Sequence, residues 1–260
     1  LIGPSFAYTP SYALDARPES VLANENMSAL TADFWMDVYA WGTYPKQVMK
    51  QLTTLGLGFE VSESDAILLK QGTPDFMGMN YYQSVTVTDM RPEEVIEKKS
   101  ANFTGKKGTS GSSGFPGIFK TVANDHLETT NWDWTIDPQG LRVALRRVES
   151  RYRLPILITE NGLGEYDTLE ANHEIHDDYR IDYLKKHIQA IQDAITDGVS
   201  IIGYSTWSFT DLLSWLNGYQ KRYGFVYVDR DERDEKQLKR FKKDSFYWYQ
   251  EVIASNGEKL

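Results

Sequence analysis

The stretch LPILITENGLGEYD, Leu154 to Asp167, constrains the fold more than any other. A run of apolar and β-branched residues reads as a buried strand, and it stops abruptly at Glu160, Asn161 and Gly162. The strand thus ends in a carboxylate, followed at once by residues suited to a sharp turn. In sheets covered by helices, the ends of strands are where side chains leave the packed interior and meet the loops, and functional groups collect there.

The rest of the chain alternates in the same way. Leu1 to Ala7 reads as a short strand, and the Pro-rich YTPSYALDARP after it reads as a loop. Glu19 to Ala40 reads as a helix, with Leu22, Met27, Leu30, Phe34 and Val38 keeping roughly to one face. A second helix is expected over Pro45 to Leu55, and a third begins in SESDAILLK with Ser62 or Ser64 as the cap. Pro74 to Thr88 reads as one strand whose alternation sends Asn80 and Tyr82 to one face and Tyr81 to the other. The Gly-, Ser- and Lys-rich segment 98–117 has nothing to bury and is expected to be a mobile loop within a single domain spanning 1–260.

A helix over about Pro138 to Tyr152 precedes the Leu154 strand, and one over about Asp177 to Gly198 follows it. SIIGYSTWS gives the next strand, and the chain closes with a hairpin-like segment and the aromatic helix KKDSFYWYQEVIAS. Strand, loop and helix therefore recur about four times, which argues for a parallel α/β sheet.

A net charge of −9 argues against a general nucleic-acid binder, because phosphate backbones are held by clustered Lys and Arg. Any anionic ligand must meet a local cationic pocket. With 0 cysteines there are no disulfides or thiolate metal sites, and no apolar run reaches the roughly 18 to 20 residues of a membrane span. The four histidines, His126, His173, His176 and His187, lack metal-site spacing, so no metal is expected. The first residues lack a signal-peptide pattern, which points to a cytoplasmic protein; they also lack an initiator Met and read as the middle of a fold.

LITENG resembles the nucleophile motif of glycoside hydrolase family 1, and DFMGMNYY, WTIDPQGL, TWSFTDLLSW and KRYGFVYVD resemble further segments of that family in the expected order. The resemblance covers essentially the whole chain. It implies a (β/α)8 TIM barrel, of which this chain supplies roughly strands five to eight, and a retaining mechanism with two glutamates. Glu160 is implied as the nucleophile, Tyr82 as the hydroxyl that donates to it, and Asn80 as a residue lining the site. Trp207 is implied as the platform under the sugar and Trp134 as a wall on the leaving-group side.

The acid/base glutamate of an Asn-Glu-Pro motif is absent, since the one Asn-Glu pair, Asn24-Glu25, is followed by Asn26. A retaining hydrolase needs its two carboxyl groups held about 5 to 5.5 Å apart, and a buried strand supplies the rigidity for one of them.

SWLNGYQKRYG is the most discriminating segment. Relatives acting on plain glucosides carry a Glu where Ser214 stands, and that carboxylate would repel a phosphate on the sugar's sixth carbon. Ser214 removes the charge, Lys221 brings a compact cation, and Tyr223 adds a hydroxyl. Together they resemble the 6-phospho-glycosidases of the family. Trp215 resembles a residue near the sugar's fourth hydroxyl and leaves the epimer open, while Arg222 is expected to point elsewhere.

The resemblance implies a 6-phospho-β-glucosidase acting on phosphorylated β-linked disaccharides and aryl glucosides, without cofactor or metal. The rival readings are a 6-phospho-β-galactosidase and a non-catalytic half-barrel that binds phosphorylated sugars. A half-barrel leaves two strand edges unpaired, so the isolated 260 residues are expected to be unstable or to associate, with the missing half or with a second copy as partner.

Overall fold

The computed structural model describes residues 1–96, 102 and 104–260. Its elements in chain order are β1 (Ser5–Ala7), β2 (Ser11–Ala13), α1 (Pro18–Ser28), a π-helical turn (Ala29–Asp33) and α2 (Phe34–Trp41). After these come α3 (Lys46–Thr54), α4 (Glu63–Gln71), β3 (Met77–Tyr81), β4 (Val85–Thr88), β5 (Gly114–Phe115), β6 (Phe119–Val122) and α5 (Pro138–Tyr152). The chain ends with β7 (Ile156–Asn161), α6 (Asp178–Thr196), β8 (Ile201–Tyr204), β9 (Val226–Val228), β10 (Arg240–Lys242) and α7 (Asp244–Ala254).

The principal sheet has the order β1-β3-β7-β8, and every pair in it is parallel. These are the four recurring strands of the sequence, in sequence order, with helices on the connections, as a partial (β/α)8 barrel requires. Met77, Met79, Tyr81, Ile156 and Ile158 form the buried face of the two inner strands. Leu141, Ala144, Leu145 and Val148 of α5, at helical spacing, close over them together with Ile191 and Ala194 of α6. Each large aliphatic residue buried here contributes on the order of 1.5 to 3 kcal/mol. Removing Leu141 to Ala would forfeit that and leave a cavity.

Helix α5 begins where its sequence says it should. Asp137 accepts from the Gly140 amide at 2.8 Å, Pro138 occupies the first turn, and the helix ends at Arg153 in the left-handed conformation with φ of 54°. Ser62 caps α4 through the Asp65 amide at 3.1 Å. The expected helix over Glu19 to Ala40 is present but contains the π turn at Ala29–Asp33, which adds a residue to the turn and shifts its buried face. Met27 is buried on that face, whereas Leu22 is exposed.

Three expectations need correction. Pro74 to Thr88 is two strands in different sheets. The chain breaks at Ser84, whose amide and hydroxyl are taken by Thr135 and Asp137, and β4 then joins a second sheet of order β2-β4-β6-β5. The Pro-rich loop after β1 contains β2, which pairs in parallel with β4.

The third correction concerns 98–117. Residues 98–101 and 103 lie outside the described residues, but the remainder does bury and pair groups. Asn102 is buried, Gly114–Phe115 pairs with β6, and the Gly108 and Ser110 amides donate to Asp133. Composition alone hid these partners, because they lie in a distant loop.

One irregularity positions the site. The β3–β7 register runs Met79 to Ile158 and then Asn80 to Glu160, so a bulge skips Thr159. Asn80 is thereby set opposite the carboxylate that ends β7.

Candidate active site

Glu160 sits half-buried at the end of β7. The Tyr82 hydroxyl, one residue beyond the end of β3, donates to its Oε2 at 2.6 Å. Burial, reinforced by that bond to Glu160, pushes the Tyr82 phenol far above its ordinary range, so it stays a donor. Asn80, on the same face, accepts from Ser5 Oγ at 3.0 Å and from Thr159 Oγ1. Its orientation is therefore fixed by two hydroxyls.

Beyond Glu160 the chain turns sharply, and its composition has steric causes. A Cβ on Gly162 would overlap the Trp207 carbonyl oxygen, and one on Gly164 would overlap the Tyr223 ring and come within 2.8 Å of Lys221 Cε. The two glycines let the loops after β7 and β8 press together. Asn161, the last residue of β7 just before Gly162, is fully buried. It donates to the Tyr81 carbonyl at 2.9 Å and accepts from the Tyr204 hydroxyl at 2.9 Å, while its own carbonyl takes the Trp207 amide at 2.8 Å. Trp207, half-buried, is thus tied directly to the residue after Glu160.

An aromatic cluster links Glu160 to Lys221. Tyr82 meets Trp134 and Tyr223 edge-on, with ring centroids 5.7 and 6.2 Å away. Lys221 Nζ lies 3.3 Å from the Trp134 ring centroid, 5.4 Å from that of Trp132 and 5.6 Å from that of Tyr223. Lys221 is fully buried, and among the described residues no carboxylate forms an ion pair with it. Burial lowers its ammonium to about 7, against only a weak opposing pull from Glu165. Glu165 itself is engaged by Asn131, at 2.6 Å, and by the Tyr166 amide. Ser214 and Tyr223 are also buried, and burial raises the Tyr223 phenol.

The structure therefore brings Glu160, Tyr82, Asn80, Trp207 and Trp134 into one region, with Ser214, Lys221 and Tyr223 adjoining it. Trp215 is set apart from these by its exposure, 84%. A cleft of about 860 Å³ opens beside Lys221, bounded by Asn102, Ser110, Trp132, Trp134, Thr135 and Asn217.

Sequence reasoning missed the ionic framework that holds these loops. Lys243 donates to Asp167 at 2.5 Å and to Asp211 at 2.7 Å, and Arg180 reaches Asp167 at 3.1 Å and Asp177 at 2.9 Å. Arg222 pairs with Asp211 at 2.9 Å, donates to the Val228 and Arg230 carbonyls, and lies over the Tyr227 ring. Burial alone would raise the Asp167 carboxyl, but Arg180 and Lys243 carry it below its ordinary range. Asn217 was also missed, although an Asn-Gly pair inside the SWLNGYQKRYG motif is itself a turn signal.

Among the described residues no helix is long and apolar enough to cross a membrane.

Comparison with known proteins agrees with this geometry. The model of glycosyl hydrolase family 1 matches residues 1–258. Aryl-phospho-beta-D-glucosidase BglC of Bacillus subtilis (strain 168) is 56% identical, covering 100% of this chain and 54% of the relative. Aryl-phospho-beta-D-glucosidase BglA of the same organism is 40% identical, covering 100% of this chain and 51% of its own length. The solved family 1 β-glucosidase of Thermotoga maritima superposes with a TM-score of 0.80 at 30% identity, over 98% of this chain and 51% of that one. The chain spans about half the length of the curated relatives it matches.

Proposed function

Because the chain belongs to glycosyl hydrolase family 1, we propose that it supplies the nucleophile half of a retaining 6-phospho-β-glucosidase, as one part, 1–260, of a single barrel domain. The observation that carries this reading is the fully buried Lys221, which has no carboxylate partner among the described residues and lies beside Ser214 and Tyr223. A buried unpaired cation is costly unless a ligand neutralises it, and a sugar phosphate would do so. The names of the similar phospho-glucosidases point the same way.

In this mechanism Glu160 attacks the anomeric carbon while the bond to the leaving-group oxygen breaks, giving a glycosyl-enzyme that water then hydrolyses. The Tyr82 hydroxyl holds the attacking carboxylate in place. Trp207 lies under the sugar, Asn80 lines its far side, and Trp134 walls the leaving group. The proton donor belongs to the half of the family's length that these 260 residues do not span. That half, or a second copy, is the partner that the edge strands β1 and β8 would meet. A cytoplasmic location follows from substrates that are phosphorylated on uptake. Neither metal nor cofactor enters the scheme.

The test is turnover by the whole protein of a chromogenic 6-phospho-β-glucoside against its galacto epimer and its unphosphorylated form. The expected order is phospho-gluco first. Lys221→Ala should raise KM at least about thirtyfold for the phosphorylated sugar alone, and Glu160→Gln should abolish turnover while the fold survives. Equal KM losses on both sugars would count against the phosphate assignment.

A further inference from the structure

Between Ser214 and Lys221 stands a buried side chain to which the resemblance gives no role. Asn217 is 7% exposed. Its Oδ1 accepts from Lys221 Nζ and from Ser214 Oγ, both at 3.4 Å, and its Nδ2 donates to the Asn102 carbonyl at 3.1 Å. The partners fix the orientation of the amide, since a flipped group would set donors against the ammonium and a carbonyl against a carbonyl.

A tight turn places this side chain. The Asn217 and Gly218 amides both donate to the Ser214 carbonyl, at 2.8 and 2.7 Å, and Gly218 takes a φ of 82°. Immediately after, the Glu232 carboxylate accepts from the Tyr219 amide at 2.8 Å and the Gln220 amide at 3.2 Å. The loop is thus clamped on both sides of Asn217.

We infer that Asn217 is the positioning residue of the phosphate pocket, aiming the Lys221 ammonium at the ligand while keeping negative charge out, and holding the single Ser214 hydroxyl proton until a phosphate oxygen takes it. This rests on the reading of Lys221 as a phosphate-binding group. An ammonium has three donors; a neutral amide oxygen holds one without cancelling its charge and leaves two for a phosphate. A carboxylate in the same place would pair with the lysine and repel the ligand. Carboxylates around the pocket are engaged elsewhere: Glu165 by Asn131, Glu232 by the loop amides, Asp211 by Arg222 and Lys243, and Asp133 by Gly108 and Ser110. Through Asn102 the same side chain also joins the pocket to a wall of the adjoining cleft.

The decisive variant in the whole protein is Asn217→Asp, which keeps the shape, adds a negative charge and removes the donor to the Asn102 carbonyl, a loss that Asn217→Ala shares. KM for the 6-phospho-β-glucoside should rise roughly tenfold or more, with kcat and the KM of the unphosphorylated sugar little changed. KM for the phosphorylated sugar should rise in the unsubstituted protein as Lys221 loses its proton at about pH 7, and in Asn217→Asp that rise should come at higher pH, because a carboxylate beside Lys221 keeps it protonated. Asn217→Ala should raise the same KM less and leave the pH dependence in place. An unchanged KM in N217D, or equal losses on both sugars in both variants, would overturn the inference. If the unsubstituted protein shows no preference for the phosphorylated sugar, the reading of Lys221 fails first and takes this inference with it.

Discussion

Lys221 and Arg222 are adjacent and both buried, yet the fold treats them in opposite ways. The guanidinium of Arg222 is consumed by Asp211, by two backbone carbonyls and by the face of Tyr227. The ammonium of Lys221 meets one amide oxygen and the faces of aromatic rings. Arg222 belongs to a framework in which Asp167, Asp177, Arg180, Asp211 and Lys243 leave every charge paired. The difference separates two uses of a buried cation. A paired one fixes the loops, whereas one without a carboxylate partner among the described residues is, on the proposed reading, left for the charge of a ligand.

The comparison breaks most visibly in the framework. Lys243→Met would leave Asp167 and Asp211 short of a partner and should cost about 3 to 5 kcal/mol in a denaturant titration. Lys221→Met should go the other way on stability, with no change or a gain of up to about 2 kcal/mol, since it removes an uncompensated buried cation. A loss as large as that of Lys243→Met would mean that the two cations have the same role.

The smallest effect sharpens the comparison through pH. With Lys221 lowered to about 7, its charge is present below that pH and lost above it. KM for the phosphorylated sugar should therefore climb as pH rises through about 7, approaching tenfold per unit, while the unphosphorylated sugar shows no such rise. Glu165 and Tyr223 are the titratable groups beside this lysine, with Glu160 beyond Tyr223 and Asp133, Asp211 and Glu232 around the pocket. A flat profile for both sugars would show that the lysine stays charged or takes no part.

How much was legible follows from how local each signal is. Glu160, Tyr82 and Lys221 lie in short motifs that resemble the family's, and that resemblance is what marks them, while the four parallel strands follow from repeated alternation. Trp215 shows the limit of position alone, because its neighbour Ser214 is buried while its own ring is exposed. The framework was not legible, since Lys243 finds Asp167 and Asp211 at separations of 76 and 32 residues, and no spacing rule links them. Nor was the break at Ser84: alternation continues through it, and what bends the chain there is Thr135, 51 residues on.

The bulge between Met79 and Asn80 also governs what change the chain can tolerate. It sets Asn80, rather than Tyr81, opposite Glu160. Removing one residue from Ile156–Asn161 would turn the side chains on one side of the deletion to the other face and take Glu160 out of register with Asn80 and Tyr82. Insertions in an exposed connection such as Gly56–Ser62 would cost little by comparison. Variation in chain length is therefore open to the periphery of this molecule and closed to its centre, and a library of insertions and deletions would recover active proteins along that boundary.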